Sequence, residues 1–135
     1  MLRILAGALV FRARWEDAPH TRDALRKLLP YDGALIQARW SGEAAWVPMG
    51  DRTVVLDPER ATSHPAPGEL LLYTGTVSET EILVPYGTTV FSSKMGQLAG
   101  NHFATIVDGR EQLRELGRRV LHEGEQRFRI EEAKD

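Results

Sequence analysis

The sequence predicts a mainly β fold, a closed β-barrel capped by helices. Three observations predict it. Apolar and polar residues alternate every second position near both ends of the chain, through Leu9–Glu16 and Arg127–Ile130, as half-buried strands require. Between those ends, short apolar runs recur with Gly and Pro separating them. Two segments alone carry the wider-spaced stripe of an amphipathic helix. Many short strands with two helices bury their apolar faces most simply by closing into a barrel.

Residues 2–16 read as a β-hairpin. Leu9, Phe11, Ala13 and Trp15 share one face, and Ala6-Gly7 is the turn. Asp17-Ala18-Pro19-His20-Thr21 opens a helix with a cap candidate and an early proline. Leu25, Leu28 and Leu29 form its stripe, Pro30 ends it, and Asp32-Gly33 turns the chain. Residues 34–49 read as a second hairpin around Ser41-Gly42. A two-residue loop would pair Trp40 with Glu43, Arg39 with Ala44 and Gln37 with Trp46. That register sets Arg39 diagonally beside Trp46, within cation–π reach.

The prolines at 58, 65 and 67 and Gly68 make residues 57–68 a loop. Strands follow at Leu70–Tyr73, Thr80–Val84, near Thr89–Phe91 and near Phe103–Val107. The last helix covers Arg110–His122, with Leu113, Leu116, Val120 and Leu121 as its stripe, Glu115–Arg119 as an i,i+4 pair and Gly124 just beyond its end. Arg127–Ile130 closes the fold. No repeat, linker or low-complexity stretch divides residues 1–135, so one domain is expected.

Composition narrows the function. The chain has 135 residues, a formal net charge of -2 and no cysteine. Thiol catalysis, disulfides and thiolate zinc sites are excluded. The near-neutral balance argues against nucleic acid as a partner. No segment has the length of a signal peptide core or a membrane helix, so the expected address is the cytoplasm. Of the 17 basic residues, 14 are Arg, the better partner for planar carboxylates and phosphates. Phosphate loops, dinucleotide fingerprints and nucleophile elbows are missing. His20, His64, His102 and His122 show no metal-ligand spacing, so neither a metal nor a cofactor is expected.

Three constellations carry chemistry. His102 lies in Gly96-Gln97-Leu98-Ala99-Gly100-Asn101-His102-Phe103, a small-residue loop entering a strand. Its glycines allow close backbone approach, and Asn101 with His102 supplies a donor, an acceptor and a titrating group. A polar turn satisfying its own backbone fits the same residues. Glu79 and Glu81 stand i,i+2 on one strand face, about 6.5–7 Å apart. That pair suits acid–base work or a cation, and equally an exposed strand face. Arg39 and Glu43 flank an aromatic hairpin tip at Trp40, where they suit a polar ligand or a surface ion pair.

Trp15-Glu16-Asp17-Ala18-Pro19-His20-Thr21 resembles the first-helix entry of cyclophilins, where Ala-Pro-x-Thr follows the opening hairpin. Leu98-Ala99-Gly100-Asn101-His102-Phe103-Ala104 is similar in place and shape to their Asn-Gly-Ser-Gln-Phe-Phe segment. Three stretches together, 38–44, 78–82 and 96–105, resemble an uncharacterised prokaryotic family of cyclophilin-like fold catalogued as domain of unknown function 3830. The resemblance implies a barrel with helical caps. It does not bring prolyl isomerase activity: Arg39 precedes Ser41-Gly42-Glu43 rather than a Phe-Met-x-Gln run, and Ala104 stands where a pocket-lining Phe would be.

The leading expectation is a barrel-side pocket for a small polar or anionic metabolite. Arg39, Trp40, Glu43, Glu79 and Asn101 would bind it, and His102 and Glu81 would serve any acid–base step, in a hydrolase or lyase if chemistry occurs. Two alternatives stand beside it, a weak or inactive prolyl-isomerase-like peptide binder and a structural or homo-oligomer-forming module.

Overall fold

A computed structural model describes residues 1–51, 54–75 and 77–134. The first hairpin joins β1 (Leu2–Ala6) to β2 (Leu9–Trp15), in register from Leu2↔Ala13 to Ala6↔Leu9. α1 (Pro19–Arg26) follows. Neither Ala18, at its N-cap, nor Asp17 caps it with a side chain. The Glu59 carboxylate does so instead, accepting the backbone N–H groups of His20 (3.2 Å) and Thr21 (2.8 Å). A carboxylate here meets both the unpaired N–H groups and the positive end of the helix dipole. Of the expected leucine stripe, Leu25 is buried within α1, whereas Leu28 and Leu29 lie beyond its end and pack partly buried on the core.

The chain does not turn at Asp32-Gly33. Both residues belong to β3 (Tyr31–Gln37), paired with Arg129 and Phe128 of β11 (Gln126–Glu132). Pairing fixes the backbone of Asp-Gly as a strand despite its local turn preference. β4 (Gly42–Pro48) pairs with β3 through Ile36↔Trp46 and Gln37↔Ala45, one residue away from the two-residue-loop register. The connection is longer, Ala38–Ser41, and the Ala38 N–H closes it on the Ala44 carbonyl at 2.9 Å. Gly42 sits at φ +93°, where a Cβ would stand 2.9 Å from the Thr88 carbonyl oxygen. Glycine is therefore needed there both for conformation and for space. The Arg39–Trp46 stacking expected from the shorter loop is not formed; the cation–π contact found among the described residues is Arg26 over Trp15, 5.4 Å from the ring centroid.

The proline-rich stretch 57–68 holds one short strand, β5 (Ala61–Thr62). β6 (Glu69–Tyr73) and β7 (Glu81–Thr89) are antiparallel, and β7 runs through to Thr89 without the expected break. A small hairpin follows, β8 (Ser92–Ser93) and β9 (Gly96–Gln97). β10 (Gly100–Asp108) begins earlier than the sequence suggests, so Gly100, Asn101 and His102 are strand residues rather than a loop. A 3-10 turn at Arg110–Gln112 leads into α2 (Leu113–His122). Leu113, Leu116 and Val120 of α2 are buried, but Leu121 is exposed.

The sheet order β2-β1-β11-β3-β4-β7-β6-β10 closes through β10–β2 pairing (Ala104↔Trp15), giving an antiparallel barrel of eight strands with β5 appended to β10. Alternate strand residues fill its interior. Phe11, Leu35, Val47, Leu70, Leu72, Ile82, Phe103 and Phe128 meet the buried face of α2 in one cluster. The intervening residues Leu71, Leu83 and Ala44 form a second, outer cluster with Tyr73, Phe91 and Leu98. Leu70–Tyr73 reads as an unbroken apolar run because both of its faces are covered. No helix of the described residues is long and apolar enough to cross a membrane.

Candidate functional site

A cleft of about 360 Å³ on the side of the barrel borders the outer cluster. Ala38 and Trp46 belong to both. The β3–β4 connection contributes Arg39, Trp40 and Ser41, and β3 itself Ile36 and Gln37. Glu81 enters from the start of β7, Ser78 from the segment before it, and Ser92 and Lys94 from the β8–β9 hairpin. The cleft thus gathers two cations, two indoles, three hydroxyls and one carboxyl.

Side-chain hydrogen bonds brace this arrangement. Gln37 Nε2 donates to the carbonyls of Ala38 (3.1 Å) and Gly42 (3.0 Å), holding both ends of the connection. The Tyr86 hydroxyl donates to Gln37 Oε1 at 2.7 Å. Ser41 Oγ donates to the Ser92 carbonyl (3.1 Å) and accepts from the Ser92 N–H (3.0 Å), tying the Arg39–Trp40 segment to the hairpin that carries Lys94. Trp40 remains 56% exposed at the mouth, while Trp46 is half-buried.

Glu81 is the group most altered by its surroundings. It is 5% exposed, and no hydrogen bond to its carboxyl is found among the described residues. Burial, with a smaller contribution from the charge of Glu79, pushes its pKa up to about 8. Desolvation disfavours the charged form, and the neighbouring carboxylate adds to that. At neutral pH Glu81 is therefore a neutral carboxylic acid, able to donate a hydrogen bond into the cleft. Arg39 and Lys94 are exposed and make no ion pair among the described residues, whereas Arg3, Arg12, Arg26, Arg60, Arg118 and Arg129 each reach a carboxylate.

The structure brings Arg39, Trp40 and Glu81 into one cleft and places the other expected site residues outside its lining. Glu43 Oε1 accepts the Thr88 N–H at 2.9 Å, pinning β4 to β7. Glu79 lies before β7, not on it, and accepts the Gly50 N–H at 2.9 Å. Asn101 is buried and saturated: Oδ1 accepts the Glu59 N–H (3.0 Å), and Nδ2 donates to Thr21 Oγ1 (3.1 Å) and the Asp57 carbonyl (3.2 Å).

His102 is 7% exposed. Its Nε2 lies 2.8 Å from Thr105 Oγ1, whose hydroxyl donates to Glu16 Oε2 at 2.6 Å. With the hydroxyl proton committed to Glu16, the Thr105 oxygen accepts from His102 Nε2–H, which fixes the tautomer. Burial pulls the Glu16 carboxyl upward, but the Thr105 hydrogen bond and the charges of His102, Arg14 and Arg60 hold it below the usual range. This cluster welds β10 to the end of β2. Among the described residues, no group of three or more His, Asp or Glu side chains is arranged to hold a metal.

Sequence reasoning missed Trp46 and Lys94 as lining residues, and Ser41, Ser78 and Ser92 with them. For Lys94 a signal exists in Ser92-Ser93-Lys94-Met95-Gly96, a turn-forming stretch directly after a buried Phe. Nothing local marks Trp46, whose place depends on the pairing register.

A closed antiparallel barrel with two helices and a lateral amphipathic cleft is the class that fold and site define. Its residues 5–131 match the model of the family described as protein of unknown function (DUF3830), and the chain belongs to that family. The fold is similar to a solved structure of McbB in complex with tryptophan, with a TM-score of 0.74 at 20% sequence identity. That likeness covers 100% of this chain and 46% of McbB, so the chain spans about half of its neighbour's length. No curated protein matches the chain.

Proposed function

We propose that the cleft binds a small anionic molecule with a flat apolar body. The observation that carries this reading is a single lining that holds Arg39 and Lys94, unengaged by carboxylates among the described residues, together with the indoles of Trp40 and Trp46. Arg39 offers a planar fork that matches a carboxylate, and Lys94 adds a point charge. The indoles supply apolar surface that packs well against a ring. About 360 Å³ falls at the small end of ligand pockets, which run from roughly 300 to 1,000 Å³. McbB, similar in fold along the whole of this chain, is a protein solved in complex with a small molecule, tryptophan.

The reading is one of binding. His102 is bound into the Thr105–Glu16 cluster and is given no part in it. A prolyl-isomerase reading gains nothing from the fold, since Ala104 is fully buried within the barrel core. A thermal-shift screen of small carboxylates and amides tests the proposal. Aromatic carboxylates should raise the wild-type melting temperature by roughly 10 °C at concentrations about a hundredfold above Kd, and the same ligands should leave an Arg39→Ala, Lys94→Ala variant unmoved. Stabilisation of both proteins to the same extent would sink the idea.

A further inference from the structure

The proposed anion site leaves the floor of the cleft unexplained. A binder of simple anions gains little from a carboxyl placed there: protonated, it offers one hydrogen bond, which a hydroxyl or amide would supply at lower desolvation cost and with no charge to repel the anion. Glu81 nevertheless lines the cleft, buried and without a hydrogen-bond donor among the described residues. The groups around it among the described residues do not neutralise it. Glu79 is a second carboxyl acting in the unfavourable direction, and neither Arg39 nor Lys94 contributes to its electrostatics. On the paired strands, Glu81 faces Pro48 of β4 and Tyr73 of β6. The Tyr73 hydroxyl accepts the Val77 N–H, at 3.2 Å. The two ends of the cleft therefore ask for opposite charges, an anion at the exposed rim and a cation at the buried floor.

We infer that the cleft takes a zwitterionic ligand, with its carboxylate at Arg39 and Lys94, a protonated amine against Glu81, and an apolar ring between the indoles. This rests on the cleft being the binding site and adds the class of molecule that fills it. An ammonium supplies the donor that Glu81 lacks and offsets the repulsion from Glu79. On binding, Glu81 gives its proton to the buffer and the amine keeps its own, so one proton leaves per ligand captured.

Calorimetric titration of the full chain at pH 7, in buffers of different ionisation enthalpy, reads that proton directly. Three probes separate the terms: L-phenylalanine, 3-phenylpropionate, which lacks the amine, and 2-phenylethylamine, which lacks the carboxylate. L-phenylalanine should bind about tenfold or more tighter than either single-charge probe, as a charge-assisted contact implies, and should release close to one proton. Glu81→Gln, with its fold verified by thermal unfolding, should abolish the release and the advantage of the amine. If 3-phenylpropionate binds as tightly as L-phenylalanine and no proton is released, the inference falls while the anion cleft stands. If none of the three binds, the anion cleft falls as well.

Discussion

Burying Glu81 gives the barrel a pH dependence opposite in sign to that of a paired carboxylate. In the unfolded chain the group titrates near 4.5, and in the folded one at about 8. Between those values the unfolded chain has lost a proton that the folded chain retains. This group's contribution to stability therefore declines as pH rises from about 4.5 to 8, on the order of 1 kcal/mol per pH unit, and is level above that. Glu16, held below its usual range, acts the other way and loses its contribution as the solution is acidified. Urea unfolding should accordingly find Glu81→Gln more stable than wild type at pH 8.5, with the advantage shrinking towards pH 5. An equal difference at both values would contradict a protonated, buried Glu81. At this scale the sequence is a partial guide. Arg39, Trp40 and Glu81 stand out by type and neighbourhood. Asn101 and His102 stand out equally, yet their polarity serves internal hydrogen bonds, Asn101 to α1 and the 57–59 segment and His102 to Thr105, which is itself bonded to the distant Glu16.

Among the elements, α2 shows how a local weakness answers a distant requirement. Gly117 lies in the middle of the helix, where alanine would favour helix formation by about 1 kcal/mol. A Cβ at that position would run into the ring of Tyr86 on β7. That ring has little room to yield, since its hydroxyl is bonded to Gln37, which in turn holds the connection bearing Arg39 and Trp40. Gly117→Ala should therefore destabilise the protein by about 1–3 kcal/mol as an overpacking change, measured by urea denaturation. A gain in stability would show that the packing of α2 on β7 is looser than described. The extent and buried face of this helix are legible in its leucine spacing, apart from Leu121. The β3–β4 register is not. Ser41-Gly42 looks like a complete turn, but Gly42 is needed beside Thr88 in β4, and the pairing moves by one residue. A change of one residue decides which side chains face the cleft.

For the molecule as a whole, strand content and a closed barrel follow from alternation, from the double-sided apolar runs and from the absence of a third helix. The closure itself joins Trp15 to Ala104, and the cap of α1 comes from Glu59, contacts between residues far apart in the chain that no local pattern encodes. The result is a division of labour between two polar regions. The Glu16–Thr105–His102 cluster and Asn101 hold strands and loops together, and the outer cleft presents cations that pair with no carboxylate among the described residues beside exposed aromatic surface. The tryptophans give this division an optical reading, since two of the three line the cleft. Titrating the wild type with 3-phenylpropionate while following tryptophan fluorescence should give a saturable change. The midpoint should rise about tenfold or more in the Arg39→Ala, Lys94→Ala variant, from loss of charged hydrogen bonds, and stay at the wild-type value in His102→Ala. A double variant that titrates like the wild type, or a folded His102→Ala protein that no longer responds, would contradict the cleft as the anion site.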